Sequence, residues 1–134
     1  MAKRKVPAVV NMNSVSIVPD ERAPTKHLRL RRLITRAVHG SNLMLGVCFM
    51  DPGEETNVWS FKEKDDAATD DRSYGPVEET YFVFRGNLVL TWNGSKLEIG
   101  PGDAVYLAPG YDYQLKNVGI EPAFFTYSMS PPYE

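Results

Sequence analysis

The stretch Asn87–Asn117, NLVLTWNGSKLEIGPGDAVYLAPGYDYQLKN, decides the fold. Branched and aromatic residues run up to the pair Asn93–Gly94, which accepts the positive φ values of a type I′ hairpin turn, and SKLEI then returns. GPGD and APGYD are further turn chemistry, separating DAVYL and YDYQLKN as two more short strands. Strands this short, joined by turns this tight, predict antiparallel pairing, because a parallel neighbour needs a crossover of a dozen residues or more.

Working outward, the same texture continues in LRLRRLITRAV, NLMLGVCFM, NVWSF, ETYFVFRG and AFFTYSM, punctuated by HGSN, DPGE, RGN and NVGIEP. Eight or so strands with no long amphipathic helix and no internal repeat indicate an antiparallel sandwich or barrel. Residues 1–25 carry Pro7, Pro19 and Pro24 among the short apolar runs AVV and VSIV, which predicts an arm with one or two short strands. Residues 26–134 form the barrel. KEKDDAATDDRSYGP, residues 62–76, is polar, with charges of both signs weighted towards acid, and reads as a surface loop inserted between two strands. It lacks the alternating ligands and glycine of an EF-hand.

At 134 residues the chain is one domain, so its parts serve one site. A charged fraction of 24% against 43% hydrophobic residues is that of an ordinary globular protein. The net charge is −2 and the basic runs, Lys3–Lys5 and Arg29, Arg31 and Arg32, are short, which speaks against nucleic acid as a partner. No apolar run reaches the roughly 18 residues of a membrane span, and the start lacks a signal-peptide core, so a cytoplasmic location without membrane attachment is expected. Cys48 is the single cysteine, which excludes an internal disulfide and fits a reducing compartment. Within LMLGVCFM it reads as a small core residue, since no basic neighbour in sequence would lower its pKa.

The second half of the chain resembles the cupin family, double-sheet barrels of the jelly-roll type. One cupin motif runs Gly, five residues, Pro-x-Gly, two residues, His, three residues, Asn. Here its spacing is intact from Gly102 through Ala108, Pro109, Gly110 and Tyr113 to Asn117, with Ala108 in place of proline and Tyr113 in place of histidine. The other motif runs Gly, five residues, His-x-His, three or four residues, Glu, six residues, Gly. Gly53 places Trp59 and Phe61 at the two histidines, and Glu79 and Gly86 close the motif after the insertion. The resemblance implies an all-β fold and, by analogy with small cupins, a homodimer that exchanges the N-terminal arm. It does not choose among the many activities the fold hosts.

The resemblance also locates a site. Metal cupins hold a transition ion with three imidazoles and a carboxylate; only Glu79 remains of those four, and Trp and Phe offer no suitable lone pair. No metal and no cofactor is therefore expected. His27 and His39, the only histidines, both precede the motifs and read as surface or turn residues; a non-standard metal site from Glu79, Tyr113, His39 and loop acids is the outlying alternative. Side chains two apart on a strand share a face, which puts Trp59 with Phe61, and Glu79 with Tyr81 and Val83. Among aromatic neighbours the Glu79 carboxyl should resist ionisation unless Lys62 or Arg85 reaches it, and so suit acid or base work near neutrality. The expected site has Glu79 as proton shuttle and Tyr113 polarising a substrate oxygen. Trp59, Phe61, Tyr81 and Lys62 bind a small organic molecule in an isomerase-like or lyase-like reaction. The alternative is a packed interior in which Glu79 and Tyr113 bond each other and the protein binds or scaffolds without chemistry.

Overall fold

The computed structural model describes residues 5–18, 28–60 and 77–132. Nine described strands form two antiparallel sheets: β1 (Arg29–Ile34), β2 (Met44–Met50), β3 (Trp59–Ser60), β4 (Glu78–Arg85), β5 (Leu88–Trp92), β6 (Ser95–Ile99), β7 (Ala104–Leu107), β8 (Asp112–Asn117) and β9 (Ala123–Ser130). The five-stranded sheet has the order β1-β2-β9-β4-β7 and the four-stranded sheet β3-β8-β5-β6. Neighbours in space are far apart in sequence, with β2 beside β9 and β3 beside β8, which is a jelly-roll arrangement and not a meander.

Period-2 alternation builds the core. On β4, Glu79, Tyr81 and Val83 are buried while the residues between them are exposed; on β9, Ala123, Phe125, Tyr127 and Met129 are buried in the same rhythm. The hairpin forms as the sequence predicts: Asn93 has φ 47° and Gly94 φ 80°, and Trp92 pairs with Ser95 across the turn. Gly86 (φ 97°) has its Cα face against Ala123, where an added Cβ would lie 2.7 Å from the neighbouring Cα. Only glycine meets both demands.

Two expectations change. The described arm, residues 5–18, contains no strand; its regular element is a single 3-10 turn at Met12–Ser14 capped by Asn11. Its carbonyls are satisfied otherwise, for Arg31 donates to the Met12 and Val15 oxygens and one backbone bond joins Val18 N–H to Leu30. In VSIV the Val15 carbonyl already accepts from a side chain, and a single backbone bond to β1 makes no ladder. Also, LRLRRLITRAV is not one strand: it ends at Ile34, and Thr35 caps the four-residue helix α1 (Arg36–His39), which Gly40 closes at φ 66°. The insertion 62–76 lies outside the described residues.

Candidate functional site

The site is a facing of two sheet walls. On the four-stranded sheet, Trp59 pairs with Tyr113 and Tyr113 with Trp92, so three rings form one cross-strand row. The Trp59 and Tyr113 rings are 5.9 Å apart, and Tyr111 completes the cluster with edge contacts to Trp92 (5.1 Å) and Tyr113 (6.4 Å). β3 is held in place by the segment before it: Thr56 exchanges backbone and side-chain bonds with Leu115 and takes a bond from the Gln114 amide. Asn117, the last motif residue, is fully buried, and its side chain bonds the Met50 and Glu121 carbonyls and the Gly119 N–H. That ties β8 to the ends of β2 and β9.

On the five-stranded sheet, Glu79 stands between Leu107 and Met129 in register and is 5% exposed. Its Oε1 has no hydrogen-bond partner among the described residues. Burial alone pushes the carboxyl up to about 8. Arg85 does not offset this, because it lies beyond the register shift after Val83 and is exposed. Glu79 is close enough to raise both Tyr113 and Cys48 by its charge, although burial is the larger cause at each. The buried Cys48 thiol is held well above its usual range, as a core residue should be.

Of the site residues expected from the sequence, Glu79, Tyr113, Trp59 and Tyr81 are all buried. Tyr81 serves as a wall, with its ring 4.8 Å from Phe125. Phe61, Lys62 and His27 lie outside the described residues. Tyr113 differs from expectation in chemistry. Its hydroxyl donates to the Ala108 carbonyl, so the proton expected to face a substrate oxygen is already engaged, and burial, then Tyr111 and Glu79, pushes the phenol up to about 12. The expected alternative of a Glu79–Tyr113 bond is likewise not formed.

Two residues escaped the sequence reading. Trp92 presents a buried Nε1 with no hydrogen-bond partner among the described residues, beside the aromatic row. Arg32, 7% exposed, points inward from β1. The signal for both was period 2: Leu88, Leu90, Trp92 and Leu28, Leu30, Arg32 each continue an inward face.

A resident metal ion does not fit these donors. Of the four cupin ligand positions only Glu79 carries a metal-type donor, and no three of His, Cys, Asp and Glu gather among the described residues. His39 is not recruited, since its Nδ1 accepts the Thr35 N–H within the capping turn.

Comparison with known proteins agrees with the geometry. The chain is 30% identical over 56 residues to an uncharacterized protein of Methanocaldococcus jannaschii, a match spanning 42% of this chain and 45% of that one. Among solved structures it is similar to a predicted oxalate decarboxylase from Thermotoga maritima (TM-score 0.71, 15% identity, 92% of this chain and 99% of that chain). It is also similar to the polyketide cyclase RemF from Streptomyces resistomycificus (TM-score 0.69, 20% identity, 100% and 81%). The Schizosaccharomyces pombe Cnp3 cupin domain aligns at TM-score 0.66 and 17% identity over 90% and 72%. These identities establish shared fold and nothing of activity. The family model for the cupin domain, Cupin_2, matches residues 62–129, half of the chain, and with the two-sheet barrel and the intact second-motif spacing it makes this protein a member of the cupin family.

Proposed function

We propose that the barrel interior binds a small organic carbonyl compound and that Glu79 moves a proton on it, in an isomerase-type or lyase-type reaction. The observation that carries the reading is the Glu79 carboxyl: buried, with Oε1 unpartnered among the described residues, and poised at about 8. At pH 7 about one molecule in ten then carries the carboxylate, a base strong enough to remove a proton next to a carbonyl, and the rest carry the acid that returns it. The electron pair of the broken C–H bond passes to the carbonyl oxygen as an enolate. Trp92 Nε1–H is a donor suited to that oxygen, whereas Tyr113 must first release Ala108 to serve. Trp59 supplies a flat face on which the substrate can stack.

The engaged Tyr113 hydroxyl favours a second reading, binding without turnover. To separate the two, carbonyl and aromatic compounds that raise the unfolding temperature would be incubated with the protein in deuterated water and followed by proton NMR. Exchange at the carbon next to the carbonyl, lost in Glu79→Gln with binding retained, is the expected result. Binding without exchange in the parent supports the second reading, and equal exchange in parent and variant sinks the first.

A further inference from the structure

We propose that Asn93 is a self-modification site: its side chain closes on the Gly94 backbone nitrogen, and the isoaspartate that results unseats Trp92 from the aromatic row. The site is independent of whether the barrel interior turns over a substrate.

Ring closure of an asparagine needs a following backbone nitrogen that no side chain crowds, and a side-chain carbonyl open to it and to water. Asn93 is the one asparagine followed by glycine; the others precede Met, Leu, Val or Ser. Gly94 has no Cβ, and nothing lies within 4 Å of where one would stand. Both residues are exposed at the tip of the hairpin, outside the ladder that Trp92 and Ser95 close. Asn117 is the opposite case, fully buried with its amide committed to the Met50 and Glu121 carbonyls.

The turn must open for the ring to form, and it sits where opening is easiest. β6 is an edge strand with β5 as its one neighbour, and every residue before Ile99 is exposed. Such a strand frays from its hairpin end at little cost, because few buried contacts are lost with it.

In the first step the Gly94 nitrogen attacks Cγ of Asn93. The N–Cγ bond forms, the Cγ–Nδ2 bond breaks, and the amide leaves as ammonia with the proton that Gly94 gives up. Water then opens the succinimide. Attack at Cγ yields aspartate; attack at the Asn93 main-chain carbonyl yields isoaspartate, whose backbone runs through Cβ and Cγ. Either product adds one negative charge to the net −2 of the chain. Water is the only co-reactant.

The two products differ in what they do to the fold. A two-residue type I′ turn has no slack, since both residues hold positive φ, 47° at Asn93 and 80° at Gly94, to match the twist of the strands. Aspartate keeps that turn, because Asp-Gly suits it as well. Isoaspartate lengthens the loop by a methylene and breaks the Trp92–Ser95 pair. Trp92 pairs with Tyr113 across β5 and β8 and meets Tyr111 edge-on at 5.1 Å, so the disturbance reaches the aromatic row directly.

The test holds the full chain in warm, mildly alkaline buffer. Peptide mapping with fragmentation that separates aspartate from isoaspartate is followed beside near-ultraviolet circular dichroism. Trp59 and Trp92 are the only tryptophans and both stand in the row, so their signal reports its integrity. The parent should gain an acidic form, mapped to Asn93 ahead of every other asparagine and mostly isoaspartate, and should lose tryptophan signal in step with it. Asn93→Gly, a Gly-Gly pair that suits the same turn, should keep the signal and acquire no such form. Asn93→Asp should begin with the added charge and a parent-like spectrum, which separates charge from backbone lengthening. An Asn93 that stays intact in the folded chain, or modification that falls first on another asparagine, overturns the site. Isoaspartate at Asn93 with the tryptophan signal undiminished overturns the link to Trp92, as does an equal loss of signal in Asn93→Gly.

Discussion

Glu79 links the site to stability. Its carboxyl titrates at about 8 in the fold against about 4.5 in the unfolded chain, so between those values the native state holds the extra proton. The sign follows: stability is fully present below about pH 4.5, falls as the pH rises, and is lost once the pH passes about 8. Glu79→Gln should remove that slope, and denaturant midpoints compared at pH 5.5 and pH 9 should converge for the variant and separate for the parent by a few kcal/mol at most. A parent that gains stability across this range would contradict the burial argument. Gly46 offers a second residue-scale prediction. Gly46→Ala drives a methyl into the Tyr127 ring and should cost about 1–3 kcal/mol, with part of the loss relieved in a Tyr127→Ala background. Additive losses in the double variant would mean that the ring is not what the methyl meets. The motif spacing alone located Glu79, whereas Gly46 and Arg32 share no motif. Their meaning comes from register between strands distant in sequence, which a single chain does not display.

At the scale of elements, the hairpins were legible because their chemistry is local: Asn93–Gly94 states its own turn, and the alternation on either side states which residues turn inward. Motif spacing placed Trp59 and Tyr113 in one site, but the pairing of β3 with β8 was not legible, since two residues, Trp59 and Ser60, carry little pattern of their own. The strands expected in the arm do not form in residues 5–18, where Arg31, sixteen residues beyond Val15, takes the Val15 carbonyl, a contact that nothing in the arm's own sequence announces. Asn117 shows how much one motif position does for element placement. Its amide and oxygen make three bonds, one to the end of β2 and two to the connection between β8 and β9, in a fully buried setting, so Asn117→Ala strands two carbonyls and an N–H. The loss should reach about 2–4 kcal/mol in chemical denaturation, and Asn117→Asp should not rescue it, because a carboxylate cannot donate to Met50 and Glu121. A loss under about 0.5 kcal/mol would show that β8 is anchored by its ladder alone.

The whole molecule has two unlike faces. The inner faces of both sheets form one apolar core, but the outer face of the five-stranded sheet carries an aromatic ladder: Phe49 stacks on Phe124, Phe124 on Phe84, and Phe84 meets Phe82 edge-on, with centroids 4.7, 5.6 and 5.1 Å apart. Phe82 is 41% and Phe84 56% exposed. A contiguous apolar face of this kind marks an interaction surface, one that a neighbour would cover. We propose a second copy of the chain as that neighbour, related by a two-fold axis that sets ladder against ladder and each arm on the opposite barrel. Sedimentation equilibrium should therefore return a dimer for the parent, a monomer for Phe82→Lys with Phe84→Lys, and weakened association for a chain lacking residues 1–25. A parent that sediments as a monomer at micromolar concentration removes the dimer, and a dimer untouched by both changes moves the interface elsewhere.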